Sequence, residues 1–191
     1  MIYAIIVAAG WIAFLAYWLV SSFRVKDDLT RRRALWIPLA ARILAALVVI
    51  LALRLPAVRA VLRSSRDVFS FSHPGVGIAG SVLCVAGVGL AIWARSCLGS
   101  NWSPRPSAKV GHELVTSGPY RLVRHPIYTG MLVALLGTTL DAGAIGIVVF
   151  LFAAAILISR VPVEERLMLR LFPEQYRQYR NRTKALIPYV V

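Results

Sequence analysis

The apolar stretch IYTGMLVALLGTTLDAGAIGIVVFLFAAAILIS, residues 127–159, decides the fold. Its one charged side chain is Asp141, which is followed by Ala142 and Gly143. A helix of about 20 residues crosses a bilayer, so this stretch is too long for one span and suits two short helices better. We therefore predict a tight helical hairpin that turns near Asp141, with a first arm that need not cross the bilayer completely.

Three further apolar runs precede the hairpin, at residues 1–20, 34–53 and 75–94. The first run carries no charge and contains aromatic residues up to Trp18. This pattern favours a membrane anchor over a cleaved signal peptide, which has a basic start and a small-residue cleavage site. The third run contains small residues suited to close helix packing. These are Gly75, Gly77, Gly80, Ser81, Gly87 and Gly89.

The composition excludes an ordinary soluble domain. Of the 191 residues, 59% are hydrophobic and only 16% are charged, and the mean hydropathy is +0.71. The net charge of +14 would suggest a nucleic-acid partner in a soluble protein. Here the basic residues lie between apolar runs, where membrane orientation and anionic headgroups explain them, so we predict membrane lipids and no nucleic acid as partners. Cys84 and Cys97 are predicted to be packing residues, and no metal site is expected.

The positions of the basic residues predict the orientation. Five lysines and arginines lie in residues 24–33, five in residues 95–124 and seven in residues 160–184. All three groups are cytoplasmic if the N-terminus faces outward, although the four arginines of residues 54–66 then break the positive-inside rule. Arg42 falls within the second span, where snorkelling and a functional pairing are both open.

The prediction is an all-α, polytopic membrane protein with about five transmembrane helices, the last two forming the tight hairpin, and a cytoplasmic C-terminal helical tail. Residues 1–191 are expected to form a single domain. Within it, residues 1–94 supply three transmembrane helices. Residues 95–191 supply a polar connection, the hairpin and the tail.

Polar residues collect in front of the hairpin, in SGPYRLVRHPIYTGML, residues 117–132. Pro126 suits the first turn of a helix and pushes His125 into an extended, cap-like conformation. At a helix N-terminus the macrodipole disfavours an imidazolium, so we expect a neutral His125 near a ligand. The alternative is that these residues form a turn, a helix start and interfacial anchors, with no ligand.

A second polar cluster, SRVPVEERLMLRLFPEQYRQYRNRTKALIPY, covers residues 159–189. Pro162 is predicted to start a helix whose first turn contains Glu164 and Glu165, where the dipole favours acids. Tyr176 and Tyr179 can be interfacial aromatics. Four arginines can be lipid-facing charges, namely Arg166, Arg170, Arg177 and Arg180. Because both clusters lie at the same side of the hairpin, we expect them to meet and form a pocket.

Taken together, GPYRLVRHPIYTG and the later EERLMLRLFPEQYRQY resemble the isoprenylcysteine carboxyl methyltransferase family and its phospholipid methyltransferase relatives. The resemblance covers residues 114–188, whereas the first two spans match only in general hydrophobic character. It implies a compact helical membrane fold that transfers a methyl group from S-adenosylmethionine to a lipidic acceptor.

The resemblance also implies the roles of individual residues. Glutamates suit the ammonium or ribose of S-adenosylmethionine, a helix N-terminus suits its carboxylate, and a guanidinium can orient both oxygens of an acceptor carboxylate. The implied cofactor-binding residues are Leu114, Val115, Gly118, Tyr120, His125, Tyr128, Glu164 and Glu165. The implied catalytic residues are Arg124, Arg160 and Glu165.

The expected reaction is carboxyl O-methylation of an isoprenylcysteine-like lipid or prenylated peptide, in a site on the cytoplasmic side. Three alternatives stay open. Phospholipid N-methylation of an ethanolamine headgroup would need a proton acceptor such as His125 or a glutamate. A membrane reductase would use a nicotinamide cofactor, although the chain has no glycine fingerprint for a dinucleotide. A non-enzymatic membrane scaffold would need neither cofactor.

Overall fold

The computed structural model of the protein describes residues 2–22, 74–102 and 113–188. These residues form five α-helices: α1 Ile2–Ser22, α2 Pro74–Leu98, α3 Pro126–Ala142, α4 Ala144–Leu171 and α5 Pro173–Arg182. Two short 3-10 turns, Gly99–Asn101 and Gly118–Arg121, precede α3. The all-α prediction is confirmed for this part of the chain. The predicted span at residues 34–53, with Arg42, and the basic connections at residues 24–33 and 54–66 lie outside the described residues.

Three of the described helices, α1, α2 and α4, are long and apolar enough to cross a membrane. Helix α3 is also apolar but has 17 residues, which corresponds to about 25 Å, less than the roughly 30 Å of a hydrocarbon core. The prediction of an integral membrane protein is supported. The count of five transmembrane helices also depends on residues 34–53 and on whether α3 crosses, and it stays a prediction.

Helices α2 and α3 cross at glycine contacts. A Cβ atom on Gly130 would lie 2.6 Å from the carbonyl oxygen of Gly87, and one on Gly137 would lie 2.5 Å from that of Gly80. Because Gly130 faces Gly87 and the later Gly137 faces the earlier Gly80, the two helices are antiparallel. No side chain fits between them at the crossing. The predicted close packing is therefore confirmed at Gly80 and Gly87. Gly89, in contrast, has none of the described residues within 4 Å of its Cβ position.

Helix α1 packs on the α2–α3 pair through Val7 and Phe14, which join the core cluster around Cys84. The indole N–H of Trp11 donates a hydrogen bond of 2.9 Å to the Thr138 hydroxyl of α3. Apart from this bond, the contact is mainly apolar. The predicted packing role of Cys84 is confirmed, because this side chain is fully buried.

Arg95 lies in the last turn of α2 and is only 2% exposed. Its guanidinium donates to the carbonyls of Ser21 at 3.0 Å and Gly99 at 2.7 Å, and it lies 4.4 Å from the ring centroid of Trp102. The sequence groups Arg95 with the polar connection. In the structure it lies within α2, where its positive charge stabilises the carbonyl of Ser21 near the end of α1 and that of Gly99 in the 3-10 turn after α2.

The predicted hairpin is confirmed. Helices α3 and α4 are separated by Gly143 alone, whose φ of 65° lies in the region that favours glycine. However, α4 does not end with the apolar stretch at Ser159, because it continues through Pro162 to Leu171. The prediction that Pro162 starts a new helix was wrong. Contacts of the last turns of α4 with the start of α3 favour the continuous helix over the local preference of proline.

Candidate functional site

The start of α3 and the last turns of α4 meet at one side of the antiparallel hairpin. His125 holds the cap position before Pro126, with φ −124° and ψ 58°, outside the helical region as the following proline requires. Its carbonyl accepts the first helical hydrogen bond, from the Thr129 N–H at 3.0 Å. The prediction of a histidine at this N-terminus is confirmed.

The imidazole of His125 lies between two carboxylates. Its Nδ1 atom is 3.6 Å from Oε2 of Glu164, and its Nε2 atom is 3.6 Å from Oε1 of Glu165. The ring also stacks on Tyr128, with centroids 5.6 Å apart and an interplanar angle of 8°. The Tyr128 hydroxyl donates a hydrogen bond to Glu164. Two distant parts of the sequence therefore form one cluster.

The surroundings of His125 favour its charged form. Burial lowers the pKa of the imidazole, but the adjacent carboxylates of Glu164 and Glu165 outweigh this effect and raise the pKa above its usual range. The prediction of a neutral histidine was wrong in direction. The helix dipole on which it depended is worth about 0.3–2 kcal/mol, and two adjacent carboxylates outweigh it.

Arg124 connects three elements. Its Nε atom donates to Oε1 of Glu165 at 2.6 Å, and its terminal nitrogen donates to the carbonyls of Thr183 and, at 3.3 Å, Arg180. The side chains of both Arg124 and Glu165 are about one-tenth exposed. Protein atoms therefore already accept hydrogen bonds from much of the Arg124 guanidinium, the group that the resemblance assigns to binding a substrate carboxylate.

Arg160 is placed differently. It is 41% exposed, and its Nε atom lies 3.7 Å from Oε1 of Glu164, one helical turn away on α4. This guanidinium lies at the edge of the cluster. Of the two arginines that the resemblance proposes as catalytic, Arg160 is therefore the more accessible to an acceptor.

Two tyrosines of α5 are buried in the cluster. Tyr176 is 3% exposed and Tyr179 is 8% exposed, so of the two roles that the sequence leaves open for them, burial disfavours that of exposed interfacial aromatics. The Tyr179 hydroxyl donates to the Tyr120 carbonyl at 2.7 Å. Burial raises the pKa of Tyr179 to about 12, which keeps the hydroxyl a donor at neutral pH. Residues three positions apart lie on the same face of a helix, so the spacing of these tyrosines in the sequence indicates one buried face of α5.

A cavity of about 170 Å³ opens beside His125. The sequence-predicted residues that line it are Leu114, Val115, Tyr120, Arg124, His125, Tyr128 and Glu164. Residues that the sequence reasoning missed also line it, and these are Leu98, Asn101, Trp102, Glu113, Ile127, Leu167, Met168, Tyr176 and Tyr179. The wall is part apolar and part aromatic, with two carboxylates. This combination suits a ligand that carries a cation and an apolar part.

Three predicted site residues are not among the residues that line this cavity. Glu165 contacts Arg124 and His125, which line the cavity, but does not line it itself. Arg160 lies at the edge of the cluster, beside Glu164. Gly118 begins the turn that carries Tyr120, with a φ of 60°. A Cβ atom there would lie 2.8 Å from the Cys97 sulfur, so glycine is required by both conformation and space.

The comparisons with known proteins agree with the resemblance. Residues 80–170 match the model of the isoprenylcysteine carboxyl methyltransferase (ICMT) family. Protein-S-isoprenylcysteine O-methyltransferase B of Arabidopsis thaliana is 36% identical over 85 residues, which cover 41% of this chain and 41% of that protein. Methanethiol S-methyltransferase 1 of Bradyrhizobium diazoefficiens is 40% identical over 74 residues, which cover 37% of this chain and 24% of that protein.

One solved structure has a similar fold. The eukaryotic intramembrane Ras methyltransferase ICMT matches with a TM-score of 0.57 and 24% identity, over 69% of this chain and 51% of that chain. At this identity the likeness concerns the fold alone. The matched region spans about two-fifths of the length of the first curated relatives, and it contains the α2–α3 crossing, the hairpin and both polar clusters up to Arg170.

Proposed function

We propose that this chain, a member of the isoprenylcysteine carboxyl methyltransferase family, transfers a methyl group from S-adenosylmethionine to the carboxylate of a lipidic, isoprenylcysteine-like acceptor. The observation that supports this most directly is the meeting of His125 and Tyr128 with Glu164 in the wall of one cavity. Residues 1–191 would then form one membrane methyltransferase domain, and its site would face the cytoplasm together with the basic residues of α4 and α5.

The cavity fits the methyl donor chemically. S-adenosylmethionine carries two cationic groups, a sulfonium and an ammonium, and it supplies an electrophilic methyl group. The carboxylates of Glu113 and Glu164 and the rings of Trp102 and Tyr128 provide surroundings that stabilise such cations. His125, with its raised pKa, can offer positive charge to the donor's carboxylate.

The protonation state of His125 indicates which chemical group is the methyl acceptor. A carboxylate is already ionised at neutral pH and needs no base, whereas an amine must lose a proton. Because Glu164 and Glu165 raise the pKa of His125, a smaller fraction of the imidazole is neutral and able to accept another group's proton at neutral pH. This favours the carboxylate over phospholipid N-methylation, which is the alternative acceptor chemistry.

The residues of the chain would act by binding, orienting and excluding water. Arg160, beside Glu164 of the cavity wall, would orient the acceptor carboxylate, and Arg124 would contribute positive charge from the wall while Glu165 fixes its position. The apolar side chains of Ile127, Leu167 and Met168 would keep water from the reacting groups.

The decisive experiment has a binding arm and a product arm. The purified chain in lipid nanodiscs is titrated by calorimetry with S-adenosylhomocysteine and, separately, with a nicotinamide dinucleotide. Saturable binding of the first alone supports a methyltransferase, binding of the second supports a reductase, and binding of neither supports a scaffold. His125→Ala and Glu164→Ala should each weaken binding of S-adenosylhomocysteine.

In the product arm, a labelled methyl donor is supplied with one of three acceptors: a prenylated cysteine, phosphatidylethanolamine or a small thiol. The thiol is included because one relative is named as a methanethiol methyltransferase. Base-labile label in the prenylated cysteine is the expected result, since methyl esters hydrolyse in base. Label confined to base-stable product would show N- or S-methylation and would contradict the carboxylate proposal.

A further inference from the structure

The segment that follows α5, residues 183–186, runs alongside residues 123–125 just before α3. Val123 and Lys184 form a parallel bridge. The backbone N–H of Arg124 donates to the Lys184 carbonyl at 2.8 Å, and that of His125 donates to the Ala185 carbonyl at 2.9 Å. The two backbone donors that precede Pro126 therefore find their acceptors in this segment.

Side chains strengthen the same contact. The Thr129 hydroxyl, one turn into α3, donates to the Leu186 carbonyl at 2.6 Å. At the other end of the segment, Arg124 donates to the Thr183 carbonyl, and the Thr183 hydroxyl donates to the Tyr179 carbonyl at 2.8 Å. The segment is thus held at both ends.

The 183–186 segment supplies none of the residues that line the cavity in the described part of the chain. It contacts instead the backbone from which the His125 side chain projects. Both imidazole nitrogens lie 3.6 Å from a carboxylate oxygen, so a small shift of this backbone would move the ring away from one or both partners. The hydrogen bonds with the segment oppose such a shift.

We propose that Thr129 and the 183–186 segment are positioning elements of the donor site, which hold the His125 imidazole between Glu164 and Glu165 through its backbone. This inference rests on the proposed function as far as ligand binding is concerned. The position of the ring can, however, be measured without a ligand.

Thr129 has a matched control on the same helix. Besides donating to the Leu186 carbonyl, the Thr129 hydroxyl lies 3.3 Å from the His125 carbonyl oxygen, four residues earlier. The Thr139 hydroxyl likewise lies 2.9 Å from the Leu135 carbonyl oxygen, four residues earlier, and 3.2 Å from a carbonyl outside α3, that of Gly146. Thr139 lies at the hairpin end of α3, far from His125. Thr129→Val and Thr139→Val keep the side-chain shape and remove equivalent hydroxyls, whereas Thr129→Ser keeps the hydroxyl.

Two quantities are measured in nanodiscs: the Kd for S-adenosylhomocysteine, and the pKa of His125 from histidine carbon-13 NMR, assigned with His125→Gln. We expect Thr129→Val to raise Kd about five- to tenfold, the equivalent of one hydrogen bond, and to lower the pKa of His125 as its carboxylate partners recede. Thr129→Ser should restore both quantities. Thr139→Val should lower the melting temperature and leave both unchanged.

The proposal is overturned if the pKa of His125 is the same in Thr129→Val as in the unmodified chain, or if Thr139→Val changes it equally. If the unmodified chain binds no S-adenosylhomocysteine, the proposed function is refuted. If Thr129→Val nevertheless lowers the pKa of His125, the positioning role still stands. If Thr129→Val does not fold, Thr183→Val tests the same segment, because it removes the hydroxyl that donates to the Tyr179 carbonyl at 2.8 Å and does not alter a residue that lines the cavity.

Discussion

Arg124 and Glu165 form a charged hydrogen bond of 2.6 Å, with both side chains about one-tenth exposed. Arg124 lies just before the first helix of the hairpin, and Glu165 lies near the end of the second, so the pair joins the two polar clusters. Burial makes each partner dependent on the other, since a charge withdrawn from water is costly once its counter-charge is removed. The ion pair is therefore a structural connection as much as part of a site.

Glu165→Gln should destabilise the fold more than Glu164→Gln. The first change leaves the buried Arg124 without its counter-charge and should lower the free energy of unfolding by about 3 kcal/mol. Glu164 is 25% exposed and lines the cavity, so its replacement should cost less stability and more affinity for S-adenosylhomocysteine. Thermal unfolding and calorimetric titration of both variants test this, and the reverse order of the two effects would contradict it.

Gly130→Ala should disrupt the crossing of α2 and α3. Its new methyl group would lie 2.6 Å from the Gly87 carbonyl oxygen, and separating two packed backbones typically costs about 1–3 kcal/mol. Gly89→Ala is the control, because a Cβ atom there has no neighbour within 4 Å among the residues that the structure describes, and alanine favours a helix. Melting temperatures of the two variants are compared in one detergent. Equal decreases in melting temperature for the two variants would show that the crossing tolerates a side chain.

The stability of the chain should depend on pH through His125. Its pKa is raised in the folded state, so its contribution to stability is complete below the unfolded pKa of about 6.5 and is lost as the pH rises through the folded value. The melting temperature is measured between about pH 6 and pH 9 for the unmodified chain and His125→Gln. The difference between them should shrink as the pH rises. A difference that is constant or grows would mean that the two glutamates do not stabilise the imidazolium.

Arg160→Ala should lower kcat/KM for a carboxylate acceptor about ten- to a hundredfold and change the Kd for S-adenosylhomocysteine little. Arg166→Ala is the control, because Arg166 is exposed on the same helix and its side chain bonds to the Pro162 carbonyl at 3.1 Å. Turnover with labelled donor is measured for both variants. Intact turnover in Arg160→Ala would remove this residue from the proposed acceptor contact.

Much of the fold follows from local sequence. The interruption at Asp141 and Gly143 predicts the hairpin, since a short polar and glycine break in a long apolar stretch permits little else. The small residues at Gly80 and Gly87 predict the close crossing. The prediction for Pro162 was wrong because the preference of proline for the first turn of a helix is local. Contacts of α4 with the start of α3 override it.

The candidate site was only partly predictable. The motifs identified His125, Tyr128 and Glu164, and the structure brings these residues together. The burial of Tyr179 was missed, since a tyrosine at a membrane boundary suits an interface and a core equally well. The 183–186 segment was also missed, because it acts through backbone carbonyls, which every residue has and no motif reveals.

The bond from the Tyr179 hydroxyl to the Tyr120 carbonyl joins residues 59 positions apart, and that from Thr129 to Leu186 joins residues 57 positions apart. Translation therefore delivers the two halves of the cavity at different times. A chain stalled on the ribosome before these later residues emerge would already have its hairpin in the lipid but would lack several walls of the cavity. The proposed ligand binding would then begin only after residues 176–186 have emerged.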